Sequence, residues 1–229
     1  MNSSRWIRGL CALTLSLAAT TACQHQPPAP GFAVAYEPPS PADTANSRFL
    51  KDRSLPESAA ADLNAYLRLP HRVTITARSC AGDGSGYDPD THRIELCYDE
   101  LTEQRELFTR AAEPLTDDQL AALVRETLHH EAGHALADAL DLPLASPRAE
   151  EDAADGFAQH MLLRTGPDGR AALLTAAHAY DLTAAEEPPD PTDEHAPPAA
   201  RAHSHRCAAH TTTPCPPTPW PEALTPLLR

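Results

Sequence analysis

The sequence predicts an α+β fold, because two strand-like segments come early and the rest of the chain shows mainly helical patterns. Residues 72–78 (RVTITAR) and residues 92–99 (HRIELCYD) alternate polar and apolar side chains, as half-buried strands do. Further along, apolar residues between positions 120 and 136 recur at the spacing of an amphipathic helix. We therefore expect a small β-sheet packed against several helices.

The two predicted strands are joined by a segment rich in Gly and Asp, SCAGDGSGYDPDT. This composition is typical of turns, so we expect the strands to form a hairpin with a long loop. Helical patterns flank the pair, over residues 57–68 before it and over residues 100–112 after it.

The next helices carry start signals. Thr116 and Gln119 have the spacing of a capping box, which predicts that the helix with the long apolar stripe begins there. Ser146-Pro147 is an N-cap followed by the residue favoured at the first helical position, so a second helix should run from there to about Arg164. Residues 169–180 form a third candidate helix.

Residues 1–22 have the pattern of a signal peptide, with two arginines before a short uncharged run. The stretch AATTAC at positions 18–23 resembles a bacterial lipobox, in which Cys23 would be lipidated, although Thr20 stands where such boxes usually carry Leu. The residue after Cys23 is not the Asp that, in bacterial lipoproteins, directs retention in the inner membrane. We expect an exported protein on the periplasmic side of the outer membrane, or a secreted or periplasmic one if Cys23 is not lipidated.

Proline marks the expected domain boundaries. Of the 24 prolines, 17 fall within residues 27–41 and 188–226. We expect a Pro-rich tether at 23–45, a folded domain at 46–215 and an irregular Pro-rich tail at 216–229.

Four cysteines remain after residue 23, and an even number in an exported chain suggests two disulfides with three possible connectivities. We predict that sequence neighbours pair, Cys80 with Cys97 and Cys207 with Cys215. The first bridge would hold the predicted hairpin and stabilise the fold by roughly 3 kcal/mol.

The charge balance excludes some partners. Without residues 1–22 the chain has 16 basic and 32 acidic residues, a net charge of −16. Such a charge repels phosphate backbones and anionic lipids, so we expect no nucleic-acid partner and no membrane contact beyond the anchor at Cys23.

The strongest chemical motif is HExxH, formed by His130, Glu131 and His134. Side chains four residues apart lie on one helical face, so both imidazoles can bind one Zn²⁺ ion. Glu131 is rotated off that line and is placed to act on a water molecule as a general base. The motif is short and also occurs by chance, but its position beside an apolar helical stripe supports the metal-site interpretation. His129 points about 100° away from His130 and is interpreted as a bystander.

A catalytic zinc site needs a third protein ligand, and the next predicted helix offers Glu151. Asp155, one turn later on the same face, would accept the free N–H of a ligand histidine. The alternative is that Glu150, Glu151 and Asp152 only complement the positive end of the helix. That alternative leaves Asp155 unexplained, so we favour the ligand interpretation.

These residues resemble a family of bacterial zinc metallopeptidases long catalogued only as a domain of unknown function. The resemblance rests on HEAGHALADALDLP, EEDAAD, the CYDE segment at Cys97 and DEH at 193–195, and covers roughly residues 70 to 215. The HExxH…ExxxD arrangement also resembles the gluzincins, the thermolysin-type zinc peptidases. The resemblance implies a zincin-like fold with a small β-sheet on the HExxH helix and a following glutamate-ligand helix, a zinc site of two His and one Glu, and hydrolysis of a peptide or protein substrate.

Downstream of DEH the chain departs from the family pattern, which leads into an Arg, an aromatic residue, Asn and Cys. Arg201 and Cys207 are kept, but the residues around them are mostly Ala, Pro, His and Ser. A hydrogen-bond donor for the oxyanion of the transition state is still needed. His195 is our candidate for this catalytic residue, and Tyr98 and Tyr180 are weaker candidates. Residues 94–98 are a candidate edge strand for pairing with an extended peptide.

The main alternative is a non-catalytic envelope lipoprotein that binds zinc or copper. Its basis is the content of twelve histidines, with His203, His205 and His210 close to Cys207 on an expected flexible tail. A third possibility is an envelope interaction module with a vestigial HExxH motif. The presence of Glu131 favours the enzyme, since a storage site has no need of a general base.

Overall fold

The structure is a computed structural model that describes residues 29–186, 188–216 and 218–229. The predicted signal peptide (1–22) and the lipidation site Cys23 lie outside these residues. Within the described part of the chain the fold is α+β, as predicted, and its small sheet and long helices are compatible with a zincin-like architecture. None of the described helices combines the length and the apolar character needed to cross a membrane.

The sheet has four strands in the order β1-β2-β4-β3. Their ranges are β1 (Gly31–Tyr36), β2 (Arg72–Arg78), β3 (Gly86–Asp88) and β4 (Arg93–Cys97). β1, β2 and β4 are parallel, and the short edge strand β3 is antiparallel to β4.

The predicted strands β2 and β4 are present, but the predicted hairpin is wrong. The two strands pair in parallel, with Thr74 opposite Arg93 and Arg78 opposite Cys97. β3 forms inside the Gly-rich connection and carries the chain back to the start of the sheet, so that β4 can run beside β2. The disulfide between Cys80 and Cys97 is present and fits only this arrangement. In a hairpin the two cysteines would lie roughly 20 Å apart, because Cys97 would pair near the start of β2.

The chain ends are also more structured than predicted. The expected tether at 23–45 contains β1, whose Phe32 is buried, and the first turn of the first helix. The expected irregular tail at 216–229 contains a helix, a 3₁₀ turn at Thr225–Leu227 and the fully buried Trp220. Proline composition was misleading because Pro198, Pro221 and Pro226 lie within the first two positions of helical elements, where proline is tolerated.

The described residues form eight α-helices: α1 (Thr44–Asp52), α2 (Leu55–Tyr66), α3 (Glu100–Arg110), α4 (Asp117–Ala139), α5 (Pro147–Leu163), α6 (Pro167–Glu186), α7 (Pro198–Thr211) and α8 (Trp220–Ala223). The predicted starts of α4 and α5 are confirmed. Thr116 and Gln119 form a complete capping box, and the Ser146 hydroxyl accepts a hydrogen bond from the Ala149 N–H. Helices α1, α7 and α8 were not predicted.

The main core lies between the sheet and helices α2, α4 and α5, and includes Trp220 from α8. α4 and α5 pack unusually closely at Gly133, where a Cβ atom would lie only 2.8 Å from the Cα of Ala154. α6 and α7 cover the other side of α4 and α5, and the second predicted disulfide, Cys207–Cys215, joins α7 to the segment after it. The close crossing of α4 and α5 positions the candidate site.

Candidate metal centre

The HExxH residues lie in the middle of α4 and face α5 across a cleft. His130 and Glu131 are buried, and the side chain of His134 is 12% exposed. Glu151 lies in the second turn of α5 and is also buried. These four side chains line a cleft of about 550 Å³, whose opposite wall includes Tyr87.

The three predicted ligands converge on one point. His130 Nε2 and His134 Nε2 are 3.3 Å apart. Glu151 Oε2 lies 3.1 Å from His130 Nε2, and Glu151 Oε1 lies 3.3 Å from His134 Nε2. In a tetrahedral zinc site with bonds of about 2.0–2.1 Å, neighbouring ligand atoms are about 3.3 Å apart. The spacing of these three side chains therefore fits the ligand atoms of such a site.

The polar atoms in the site also fit a cation. Glu151 Oε2 is buried without a hydrogen bond, although imidazole nitrogens lie 3.0 and 3.1 Å away, because neither contact has hydrogen-bond geometry. Burial lowers the pKa of His130, but Asp155 and Glu151 outweigh it and raise that pKa to about 10. The site thus attracts positive charge, which a divalent metal ion would supply in place of a proton.

Each candidate ligand histidine has a carboxylate within hydrogen-bond distance of its Nδ1 atom. His130 Nδ1 lies 2.9 Å from Asp155 Oδ1, as predicted from the sequence. His134 Nδ1 lies 3.1 Å from Glu150 Oε1, a contact that was not predicted. Such contacts fix the tautomer in which Nδ1 carries the proton and Nε2 faces the metal.

Arg201 on α7 holds Asp155 in place. Its guanidinium donates to both Asp155 oxygens, at 2.9 and 2.5 Å, and stacks on the ring of Tyr180, 4.3 Å from the ring centre. Burial alone would raise the pKa of Asp155, but Arg201 and His130 keep that pKa well below its ordinary value. Asp155 is therefore a permanent carboxylate behind the metal site.

The histidines of α7 do not form a flexible metal-binding tail. His205 is fully buried, and its Nε2 lies 3.0 Å from Glu126 Oε1. Glu126, Asp155 and His205 lie close enough together to suggest a second ion. Arg201 already neutralises Asp155 there, so this group is a buried polar network rather than a metal site.

The structure brings His195 to the cleft, next to Glu151. Its Nε2 lies 3.0 Å from Glu151 Oε2, and its Nδ1 lies 3.1 Å from Asp193 Oδ1. Arg148 donates a hydrogen bond of 2.9 Å to the His195 carbonyl and so fixes the segment between α6 and α7 over the site. Glu194 and His195 of the DEH segment therefore form one wall of the cleft.

Two candidate tyrosines do not reach the cleft. Tyr98 donates to the Glu37 carbonyl at 3.0 Å, and Tyr180 donates to Glu126 at 3.3 Å. Tyr87 was missed, since it lies in the segment interpreted as a loop, but it lines the cleft and donates to Asp138 at 2.7 Å. His129 is buried with no hydrogen bond on either ring nitrogen and is absent from the cleft lining, which agrees with its interpretation as a bystander.

The candidate peptide-binding strand is also corrected. Residues 94–98 lie mostly in β4, which is paired on both sides and has no free edge. The edge strands of the sheet are β1 and β3, and of these two β3 lines the cleft, with Gly86 and Tyr87.

A family model described as “Putative metallopeptidase” matches residues 36–214. No curated protein and no solved structure gives a significant match to the chain. The matched range includes most of the chain and all of the residues that line the cleft.

Proposed function

The chain belongs to the metallopeptidase family whose model it matches, and from that premise we propose that it hydrolyses peptide bonds with zinc held by His130, His134 and Glu151. The observation that carries this proposal is the spacing of 3.1–3.3 Å among the three ligand atoms, with Glu131 beside them in the same cleft. Two histidines and one glutamate are a ligand set of catalytic zinc and of the gluzincin type.

Glu131 is the proposed general base. Zinc, when bound, supplies Lewis acidity that polarises the scissile carbonyl and acidifies the attacking water. Glu131 takes the proton from that water and delivers it to the leaving amine. The carboxylate lines the cleft but is largely buried, and this burial raises the pKa of Glu131 toward the range in which a carboxylate both accepts and returns a proton.

His195 is the proposed donor to the oxyanion of the transition state. Asp193 fixes its ring through Nδ1 at 3.1 Å, so Nε2 is directed at the centre of the site. Its side chain is 38% exposed, which leaves it in reach of a substrate as well as of Glu151.

We further propose that the substrate binds as an extended chain along β3. The outer edge of this strand has no partner among the described residues, and it runs beside the metal centre. Main-chain hydrogen bonds to a sheet edge hold a peptide without selecting its sequence.

Export and lipidation at Cys23 remain part of the proposal. The disulfides Cys80–Cys97 and Cys207–Cys215 support an oxidising compartment, such as the periplasm.

The test is the substitution Glu131→Gln, which keeps the size of the side chain and removes its basicity. We expect the variant to bind one zinc ion per chain and to lose hydrolysis of a broad peptide library by about 100-fold or more. Glu113→Gln, the same change at an exposed residue far from the cleft, is the matched control. Zinc loss in Glu131→Gln would show that Glu131 is a ligand. A wild-type protein that binds zinc and cleaves nothing would favour the non-catalytic metal-binding lipoprotein.

A further inference from the structure

A second group of potential metal ligands lies at the end of the cleft, outside the HExxH site. It consists of His71, His92 and Asp138. His71 immediately precedes β2 and His92 immediately precedes β4. Because β2 and β4 are parallel, the two histidines are brought to the same end of the sheet, where the Thr74 N–H donates to the His92 carbonyl at 3.0 Å.

Asp138 reaches this group from α4. It follows His134 by four residues, as His134 follows His130, so the three side chains share one helical face. One turn of helix separates Asp138 from His134, a rise of about 6 Å along the axis. The second group therefore lies beside the first site, and Asp138 lines the same cleft.

The donor atoms of the group are close together and partly free. One ligand atom from each residue lies within 4.8 Å of the other two, and His92 Nε2 is 3.8 Å from Asp138 Oδ2. His71 Nε2 is buried and has no hydrogen-bond partner in the described part of the chain. A buried nitrogen without a partner is costly and calls for an explanation.

We propose that His71, His92 and Asp138 form a second site for a divalent transition metal ion such as Zn²⁺. Two imidazoles and one carboxylate are ligands that suit zinc, and water molecules would complete the coordination. The side chains of His92 and Asp138 are 40% and 38% exposed, so an ion can enter from solvent. This site stands independently of the proposed peptidase activity.

Binding requires one local adjustment. The two imidazole rings are stacked, with centres 3.9 Å apart and planes inclined by 15°, so their in-plane lone pairs are nearly parallel. One ring must rotate, and the ligand atoms must approach to about 3.3 Å, for both nitrogens to reach one ion. The half-exposed ring of His92 has the room to do this.

Occupation of the site would change the wall of the cleft. Asp138 accepts the hydrogen bond of 2.7 Å from the Tyr87 hydroxyl, and both residues line the cleft. A metal ion on Asp138 would neutralise this carboxylate and fix its position, and with it that of Tyr87. The second ion would thus act on the substrate-facing surface and not on the first ligand set.

The experiment is a Zn²⁺ titration of the metal-free full chain by calorimetry, with the bound metal counted by mass spectrometry after dialysis. We compare wild type, His71→Gln with His92→Asn, Glu151→Ala, and all three changes combined. Asn is chosen at 92 because this residue has φ 49, in the left-handed region that Asn tolerates. His178→Gln, at a partly exposed histidine paired with Glu113, is the matched control.

We expect about two zinc ions per chain in wild type and in His178→Gln, about one in the double histidine variant and in Glu151→Ala, and none in the combined variant. Should the double variant unfold in circular dichroism, each single histidine variant is expected to weaken the second equivalent by about tenfold or more. A count of bound zinc that is the same in wild type and in the folded double histidine variant overturns the proposal, whatever the wild-type total is. Absence of peptide hydrolysis does not alter these counts, so the two proposals fail separately.

Discussion

At the level of single residues, the two histidines proposed as metal ligands have outer hydrogen-bond partners of unequal strength. The Asp155 side chain is 9% exposed and is held by Arg201. The Glu150 side chain is 46% exposed, and within the described residues its carboxylate pairs with His134 alone. A buried hydrogen bond whose acceptor is held in place orients its partner more firmly than a hydrogen bond that is exposed to solvent. Asp155 should therefore contribute more to metal affinity than Glu150.

Zinc titration of three variants tests this ranking. Glu151→Ala leaves two protein ligands, so the affinity of the first site should collapse. Asp155→Asn should weaken it by about 10–100-fold, the usual effect of losing an outer carboxylate. Glu150→Gln should weaken it less than Asp155→Asn does. Wild-type affinity in Glu151→Ala would contradict the ligand assignment, and equal losses in the other two would contradict the ranking.

The candidate ligands could be predicted because their spacing along the sequence places them on shared helical faces. Four-residue periods place His130 near His134 and Glu151 near Asp155 before any tertiary structure is known. The contact between Arg201 and Asp155 could not be predicted from local sequence. The two residues are 46 positions apart, and the contact depends on the packing of α7 against α5.

At the level of elements, the crossing of α4 and α5 sets the distance between the histidines and Glu151. Gly133 lies between His130 and His134 on the HExxH helix, opposite Ala154. A methyl group there would lie 2.8 Å from the Ala154 Cα, and a backbone atom cannot move aside by rotating a side chain. The absence of a side chain at 133 is what allows the two helices to approach closely enough for the proposed ligands to reach one metal ion.

Gly133→Ala should therefore destabilise the protein although alanine favours helices. The gain in helix propensity is up to about 1 kcal/mol, and overpacking costs about 1–3 kcal/mol, so we expect a net loss. The separation of α5 should also weaken zinc binding, because Glu151 moves away with it. Urea unfolding of the metal-free protein and a zinc titration measure the two effects. An unchanged or higher unfolding midpoint together with wild-type zinc affinity would rule this packing argument out.

Capping chemistry predicted the starts of α4 and α5, but strand direction could not be obtained from alternation alone. A strand has the same period whichever way it runs, and β3 is only three residues long. The expected disulfide Cys80–Cys97 already conflicted with a hairpin, in which the two cysteines would be too far apart to bond. The length of a disulfide constrains strand direction more strongly than the composition of the connecting loop does. α7 was missed because His and Ser interrupt its apolar pattern, although Ala202, His205 and Ala208 are buried against the neighbouring helices.

At the level of the whole molecule, both ends of the described chain close the core. β1 adds an edge to the parallel sheet through its pairing with β2. At the other end, the Arg68 N–H donates to the Leu227 carbonyl at 2.6 Å and the Arg229 N–H donates to the Tyr66 carbonyl at 3.1 Å. These long-range contacts have no local sequence signal, so composition suggested a tether and a tail where the chain is packed.

Trp220 is the residue through which the C-terminal segment contributes to the stability of the core. Its indole N–H donates to the Ala153 carbonyl at 2.7 Å, and its ring packs on Phe157 with centres 5.1 Å apart. Both partners lie on α5, the helix that carries the proposed ligand Glu151, so Trp220 supports this helix on the side of the core.

Trp220→Ala should lower the free energy of unfolding of the metal-free protein by about 3–5 kcal/mol, as expected for a large aromatic removed from a core. Trp220→Phe keeps most of the ring and loses the hydrogen bond, so it should cost less. Leu174→Ala, at a leucine that is 42% exposed, is the control for loss of apolar surface outside the core. Urea unfolding at fixed metal content gives all three values, since bound zinc would add its own stabilisation. If the segment were an irregular tail, Trp220→Ala would cost no more than Leu174→Ala, and the buried position of Trp220 requires the opposite.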